Sequence, residues 1–216
     1  VSEVDKLTKF SVLEQVPTED KIVAFTFDDG PNPLYTRQLL DIFSQVGGKA
    51  TFFMLGEQMD ASEEAEQVAR EAHAVGHEIG NHTYTHPNLA TVSLEEAQAE
   101  IEKMEQRIVQ ITGNKPSVFR PPYFGINDEI QQLVGERGYY TIGAVNGEAM
   151  DWEQPGVEFI VDQTKKKLGK GSILIFHDGY GDRSQSIEAV KILSEELTAE
   201  GYQLVTVSEL IRLSSK

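Results

Sequence analysis

Two adjacent carboxylates, Asp28 and Asp29, stand in the stretch Thr26-Phe27-Asp28-Asp29-Gly30-Pro31. An apolar run from Ile22 to Phe27 leads into them, and Gly30-Pro31 breaks the strand, so the acids belong at its C-terminal end. Successive strand side chains point to opposite faces, but a turn at the strand end can aim both acids into one cleft. Two carboxylates side by side repel, and one then tends to stay protonated. A bound cation removes that conflict: one carboxylate ligates it and the other is free to act as a base. The bland alternative is a plain turn, since Asp and Gly are common turn residues.

The chain has five histidines: His73, His77, His82, His86 and His177. His82 and His86 lie four apart in Asn81-His82-Thr83-Tyr84-Thr85-His86-Pro87. That spacing lets two imidazoles meet one ion on a helical turn or a tight loop. A polar loop with surface histidines is the competing reading. His73 falls inside an expected helix and reads as a solvated side chain. His77 begins a strand beside Glu78 and reads as a structural hydrogen-bonding group.

The elements that must position these residues alternate. Expected strands cover residues 21–28, 50–55, 77–81, 117–120, 139–145, 172–176 and 203–207. Expected helices fall between them, near residues 35–46, 62–75, 157–168 and 186–199. A long helix begins at the capping box Ser93-Leu94-Glu95-Glu96 and carries Leu94, Ala97, Ile101, Met104, Ile108 and Ile111 at helical spacing. Asn127 caps the next helix, and Ser208 is expected to cap a last short one. Tyr139-Tyr140 reads as core and sheet packing. Lys165-Lys166-Lys167 reads as a solvated helix face near a C-terminus, where positive charge is favourable.

Strands alternating with helices imply parallel strands and right-handed crossovers, in a barrel or an open doubly wound sheet. Asp28-Asp29, His82, Arg120, Asp151 and His177 all map to strand ends or to the loops that follow. In a parallel sheet or barrel those ends share one face, where active sites sit. Chance would scatter such residues over both faces. A carboxylate plus two histidines leaves a metal with open positions for water and substrate, as hydrolytic sites require.

Composition narrows the function. At 216 residues the chain suits one domain, residues 1–20 reading as a lead-in or peripheral strand. The formal net charge of -16 argues against nucleic acid, because phosphate binding needs a basic surface. With no cysteine, disulfides, thiolate metal sites and cysteine nucleophiles are excluded. No stretch is long and apolar enough to span a membrane. The first residue is Val1, so removal of an N-terminal signal or anchor is expected.

On these residues the chain resembles the polysaccharide deacetylases of carbohydrate esterase family 4, which carry the NodB-homology domain. The resemblance spans about residues 20–212, with five motifs in family order. Thr26 to Pro31 matches the first motif, which implies Asp28 as catalytic base and Asp29 as metal ligand. His82-Thr83-Tyr84-Thr85-His86 matches the second, which implies His82 and His86 as the other ligands and Thr83 as a brace for the loop. Arg120-Pro121-Pro122-Tyr123 matches the third, which implies an Arg120–Asp28 pair and the Tyr123 N–H as an oxyanion donor. The fourth matches in part: Glu148 replaces an Asp, while Asp151-Trp152 are present, Asp151 to tune His177 and Trp152 to wall the acetyl pocket. Ile175-Phe176-His177 matches the fifth with Ile for Leu, and implies His177 as general acid. Pro122, Tyr123, Trp152 and Ile175 are then the residues expected around the substrate.

The resemblance implies a distorted (β/α) barrel of seven or eight parallel strands, with residues 1–20 as lead-in and 21–216 as the catalytic domain. It implies hydrolytic removal of N-acetyl groups from an N-acetylglucosamine-type polysaccharide, peptidoglycan or chitin oligomers, releasing acetate. Zinc is the first expectation for the metal, with cobalt, nickel or manganese as alternatives. A cell-wall substrate places the protein outside the cell. Three other readings stay open: an acetylxylan esterase using the same site, which the motifs do not separate from an N-deacetylase, and, disfavoured by the complete motif set, a cyclic-amide hydrolase on a related barrel and an inactive carbohydrate-binding relative.

Overall fold

The computed structural model describes residues 8–214. The first seven residues of the expected lead-in lie outside the described residues. Among the described residues there are eight strands: β1 (Val12–Leu13), β2 (Ile22–Asp28), β3 (Thr51–Met54), β4 (Glu78–Asn81), β5 (Val118–Phe119), β6 (Tyr140–Ile142), β7 (Ile173–His177) and β8 (Gln203–Leu204). The helices are α1 (Tyr35–Val46), α2 (Gly56–Met59), α3 (Glu63–Ala74), α4 (Leu94–Thr112), α5 (Asp128–Glu136), α6 (Val157–Lys167), α7 (Ser184–Ala199) and α8 (Val207–Ser214). Among the described residues no helix is long and apolar enough to cross a membrane.

The strands run in the order β1-β6-β5-β4-β3-β2-β7, all pairs parallel, with β8 paired to the start of β2. This is the expected distorted barrel, and two wedges account for the distortion. At the bottom, β8 enters between β2 and the chain leading into β3: Val205 N–H donates to Val23 O and Lys49 N–H to Leu204 O. Between β6 and β7, residues 12–16 enter in the same way. Gly143 N–H donates to Leu13 O, Ile173 N–H to Glu14 O, and Val16 N–H to Gly171 O. Above that wedge Val145 N–H reaches Ile173 O directly at 3.0 Å, bringing the two ends of the curled sheet together.

The alternation along β2 sorts the interior. Val23, Phe25 and Phe27 face outward into an aromatic layer under the helices, with Phe43, Phe52 and Phe176. Phe27 and Phe52 stack at 5.2 Å, and Phe25 meets Phe43 edge-on at 5.6 Å. Ile22 and Ala24 pack on the opposite side with Phe53, Ile142, Ile173 and the α8 residues Val207 and Leu210, filling the bottom of the barrel. Thr26 and Asp28 continue that inward series upward, so a polar mouth sits on an apolar floor.

The expected elements are present with shorter strands. α4 has its capping box and buries Ala97, Ile101, Met104, Ile108 and Ile111, but Leu94, in its first turn, is half exposed. Ser208 does not cap α8. Thr206 Oγ1 accepts from Glu209 N–H, while Ser208 N–H donates to Glu78. His77 is structural: its Nδ1 accepts from Ala50 N–H at 2.9 Å, and burial pushes its pKa down to about 4. Tyr139 is fully buried and donates its hydroxyl to Glu105.

Gly171 permits the wedge of residues 12–16. Its φ is +78°, and a Cβ there would lie 2.2 Å from Val16 O. Gly171→Ala is therefore expected to destabilise the protein by more than about 1 kcal/mol in urea unfolding. A wild-type midpoint would show that the wedge does not constrain the barrel.

Candidate active site

Each reactive residue named from the sequence reaches one cavity of about 660 Å³ at the C-terminal mouth of the barrel, or lies directly behind its wall. Asp28 ends β2 in register with His177 at the end of β7. Asp29 follows with φ +78°, a left-handed turn that swings its carboxylate back to the same side. The strand-end turn thus aims both acids into one cleft. Close packing explains the glycine that follows. A Cβ on Gly30 would lie 2.7 Å from the Asp178 carboxylate, and one on Gly179 would lie 1.9 Å from Asp29 O.

Arg120 lies behind the mouth with no solvent exposure. Its Nη1 donates to Asp28 Oδ1 at 2.8 Å and to Thr26 Oγ1 at 2.6 Å. Its Nε and Nη2 donate to the carbonyls of Ile142 and Gly143. Its guanidinium stacks over Phe53 at 4.4 Å.

His82 and His86 close the other side. The Arg120 carbonyl accepts from His82 Nδ1 at 2.6 Å, so the proton sits on Nδ1 and the Nε2 lone pair faces the acids. His82 Nε2 lies 3.3 Å from Asp29 Oδ1, and His86 Nε2 lies 3.2 Å from the same oxygen. Asp29 Oδ1 is buried and has no hydrogen-bond donor. One atom from each of Asp29, His82 and His86 lies within 4.8 Å of the other two. Three lone-pair atoms converging on one buried point fit a cation, and a set of one oxygen and two imidazole nitrogens suits zinc or a neighbouring divalent metal. Burial opposes ionisation of Asp29, but the two histidines outweigh it and hold its carboxyl far below the usual range. Burial likewise opposes a proton on His82, and Asp28 and Asp29 draw its pKa up.

The opposite wall carries His177, half-hidden and paired with a buried Asp151. Asp151 Oδ1 is 2.8 Å from His177 Nδ1, and Oδ2 accepts from His177 N–H at 2.7 Å. Ser186 at the start of α7 donates to Oδ2 at 2.6 Å. These bonds direct His177 Nε2 to the cavity. Burial works against the imidazolium, but Asp151 more than compensates and pushes the pKa up to about 9. Trp152 stands edge-on to His177 at 5.5 Å and is partly exposed. Ile175 lines the cavity, its N–H and C=O both held by Asn146.

Tyr123 lies in a short 3-10 turn with φ +58°, its ring exposed and 4.6 Å from that of His86. Pro121 faces the cavity, whereas Pro122 is buried beneath the turn. Glu148 points to solvent, 3.8 Å from Lys167. Sequence reasoning missed Ser186, Asn146, Asp178, Tyr180 and Arg183. Tyr180 and Arg183 line the cavity just beyond His177. Asp178 is buried beneath Gly30, and burial pushes its carboxyl up to about 7 against a bond from Thr36. The place of Asp178 and Tyr180 next to His177 was the one available signal; Ser186 and Asn146 carry none.

A parallel barrel whose mouth gathers an Arg-paired acid, a triad that could hold a metal ion and an Asp-paired histidine is suited to hydrolysis. A family model described as polysaccharide deacetylase matches residues 15–142. Over 203 residues the chain is 41% identical to a peptidoglycan-N-acetylglucosamine deacetylase of Bacillus cereus, covering 92% of each. The solved structure of the Bc1960 peptidoglycan N-acetylglucosamine deacetylase matches with a TM-score of 0.85 at 31% identity, over 91% of both chains. A family 4 acetyl xylan esterase from Clostridium thermocellum, in complex with a cobalt ion, matches with a TM-score of 0.82 at 29% identity, over 89% of this chain and 91% of that one. The chain belongs to the polysaccharide deacetylases, the NodB-homology group of carbohydrate esterase family 4.

The His177–Asp151 pair sets a pH window. A pKa raised from 6.5 to about 9 gives stability that is complete below 6.5 and is lost as pH rises through 9. In chelator-treated protein the His177 imidazole should titrate near 9 by NMR, and Asp151→Asn should bring it down. A wild-type midpoint near 6.5 would refute the pairing.

Proposed function

We propose that this protein removes N-acetyl groups from an N-acetylglucosamine-type polysaccharide by metal-dependent hydrolysis, with peptidoglycan as first candidate and chitin oligomers as second. One observation carries this reading. A carboxylate held by Arg120 and an imidazole held by Asp151 line one cavity together with the Asp29–His82–His86 triad. A base and an acid on opposite sides of one reacting carbon are what amide hydrolysis needs.

Asp29, His82 and His86 would hold the metal, zinc first. The chemistry such a cation supplies when bound is Lewis acidity, for activating a water and polarising the acetyl carbonyl. Arg120 holds one oxygen of Asp28, leaving Oδ2 to take the proton from the attacking water. The Tyr123 N–H is the backbone donor for the developing oxyanion. His177, protonated at neutral pH, delivers its proton to the nitrogen as the C–N bond breaks, leaving acetate and a free amine. Trp152 and Ile175 form the apolar wall that takes the acetyl methyl.

The likeness to an acetyl xylan esterase favours one second reading, O-deacetylation by the same groups. The departing alcohol also needs the His177 proton, so geometry does not separate ester from amide. An inactive carbohydrate-binding role is disfavoured by retention of the acids, the ligand histidines, Arg120 and His177. A cell-wall polymer as substrate places the protein outside the cell or at the wall.

The deciding experiment measures acetate release with and without chelator from N-acetylglucosamine oligomers, peptidoglycan and acetylated xylan. Chelator-sensitive release from an amide substrate is expected. Release from xylan alone would make the protein an esterase, and no release with added zinc or cobalt would refute hydrolysis of all three. Asp28→Asn is expected to lower turnover by roughly two to four orders of magnitude while zinc still binds. Full activity in that variant would remove Asp28 as base. His82→Ala should weaken zinc binding in calorimetry, and unchanged affinity would remove it as ligand.

A further inference from the structure

The loop between the two ligand histidines has an unusual hydrogen-bond account. Four consecutive backbone N–H groups, residues 83–86, all donate to side chains. Thr83 N–H donates to Asn81 Oδ1 at 2.9 Å, and His86 N–H to Thr83 Oγ1 at 3.1 Å. The middle two belong to one carboxylate on α4: Tyr84 N–H and Thr85 N–H reach Glu100 Oε2 at 2.9 and 2.8 Å. The other oxygen, Oε1, accepts from the Thr85 hydroxyl at 2.6 Å.

The loop needs such support. Thr83 and His86 have φ of +75° and +67°, a region that non-glycine residues occupy only when their surroundings enforce it. The first end of the loop is secured separately: Asn81 donates to Ile101 O and to the Tyr139 hydroxyl. Tyr84 is seated on Gly56, with Lys103 over its ring at 3.7 Å. Between these anchors and His86, Glu100 supplies three of the polar contacts.

We propose that Glu100 is a positioning residue that docks the 83–86 loop on α4 and so holds His86 in ligating geometry. This rests on the reading of Asp29, His82 and His86 as metal ligands. Glu100 is itself outside that triad and acts through backbone groups. Groups of this kind, one step removed from a metal, typically change affinity by about 10–100-fold when lost.

The test is calorimetric titration of chelator-stripped protein with zinc chloride. Wild type is compared with Glu100→Ala, Glu100→Gln, Thr85→Val and Glu95→Ala. Metal-free thermal unfolding is recorded for each. Glu100→Ala is expected to weaken zinc binding by about 10–100-fold. Glu100→Gln should keep most of the affinity, because its amide oxygen still accepts from the two N–H groups. Thr85→Val, which removes one bond of three, should show a smaller loss and keeps the test open if Glu100→Ala fails to fold. Glu95, exposed in the first turn of the same helix, controls for charge, and its variant should match wild type. Wild-type affinity in both Glu100→Ala and Thr85→Val overturns the proposal. Equal losses in Glu100→Gln and Glu100→Ala, or a loss in Glu95→Ala, overturn it in favour of a charge effect. Absence of zinc binding by the wild type is a separate outcome that removes the ligand reading as well.

Discussion

The fully buried guanidinium of Arg120 is the constraint on which the mouth of the barrel depends. A cation removed from water must be paired and must spend its donors, or it destabilises the fold; removing one partner of such a pair typically costs about 3–5 kcal/mol. Arg120 meets both conditions at the ends of three strands. It holds Asp28 and Thr26 of β2 and the carbonyls of Ile142 and Gly143 at the end of β6, while standing just past β5. Its own carbonyl accepts a hydrogen bond from Nδ1–H of His82, just past β4. One residue therefore decides which oxygen of Asp28 is occupied and which nitrogen of His82 carries a lone pair.

The charges around this pair explain why the cleft can hold so many acids. Asp28, Asp29, Asp151 and Asp178 are all buried around the mouth of the barrel. Burial disfavours an unpaired carboxylate. Asp28 has Arg120, Asp151 has His177, and Asp29 has the two histidines that share its unpaired oxygen. Asp178 has only the hydroxyl of Thr36, and it is the one whose carboxyl burial pushes up to about 7. The acid left without a cationic partner is packed under Gly30 rather than aimed at the cavity.

What could be read from the sequence was what local chemistry and periodicity encode. The apolar run into Asp28, the proline and glycine stops, and the capping residues Ser93 and Asn127 each act within a few residues. The convergence of Asp28, His82, Arg120, Asp151 and His177 followed from parallel strands alone, since all C-terminal ends then share one rim. What escaped acts over long separations with no periodic trace. Residues 12–16 wedge open β6 and β7 through backbone bonds to partners well over a hundred residues away. Ser208 abandons its helix for Glu78, and Ser186 and Asn146 serve Asp151 and Ile175 from distant elements. A serine or asparagine in a helix or loop looks the same in sequence whether it meets water or a buried carboxylate.

The same separation between strands and loops describes how the site is held. The strands end in backbone ladders that leave little freedom, and the candidate site residues sit at their last positions or in the loops that follow. There the chain enters left-handed conformations at Asp29, Thr83, His86, Tyr123 and Tyr180, which cost energy for residues with a Cβ. Such turns persist only where neighbouring groups over-determine them. Around Asp29 this is the contact of Gly179 and the bond to Phe53 O; around His86 it is a chain of side-chain acceptors from Asn81 through Thr83. The barrel thus sets where each candidate site residue emerges, and the side chains packed behind the loops set which way it faces. Altering a strand threatens the fold, whereas altering a loop acceptor misdirects one functional group and leaves the barrel standing.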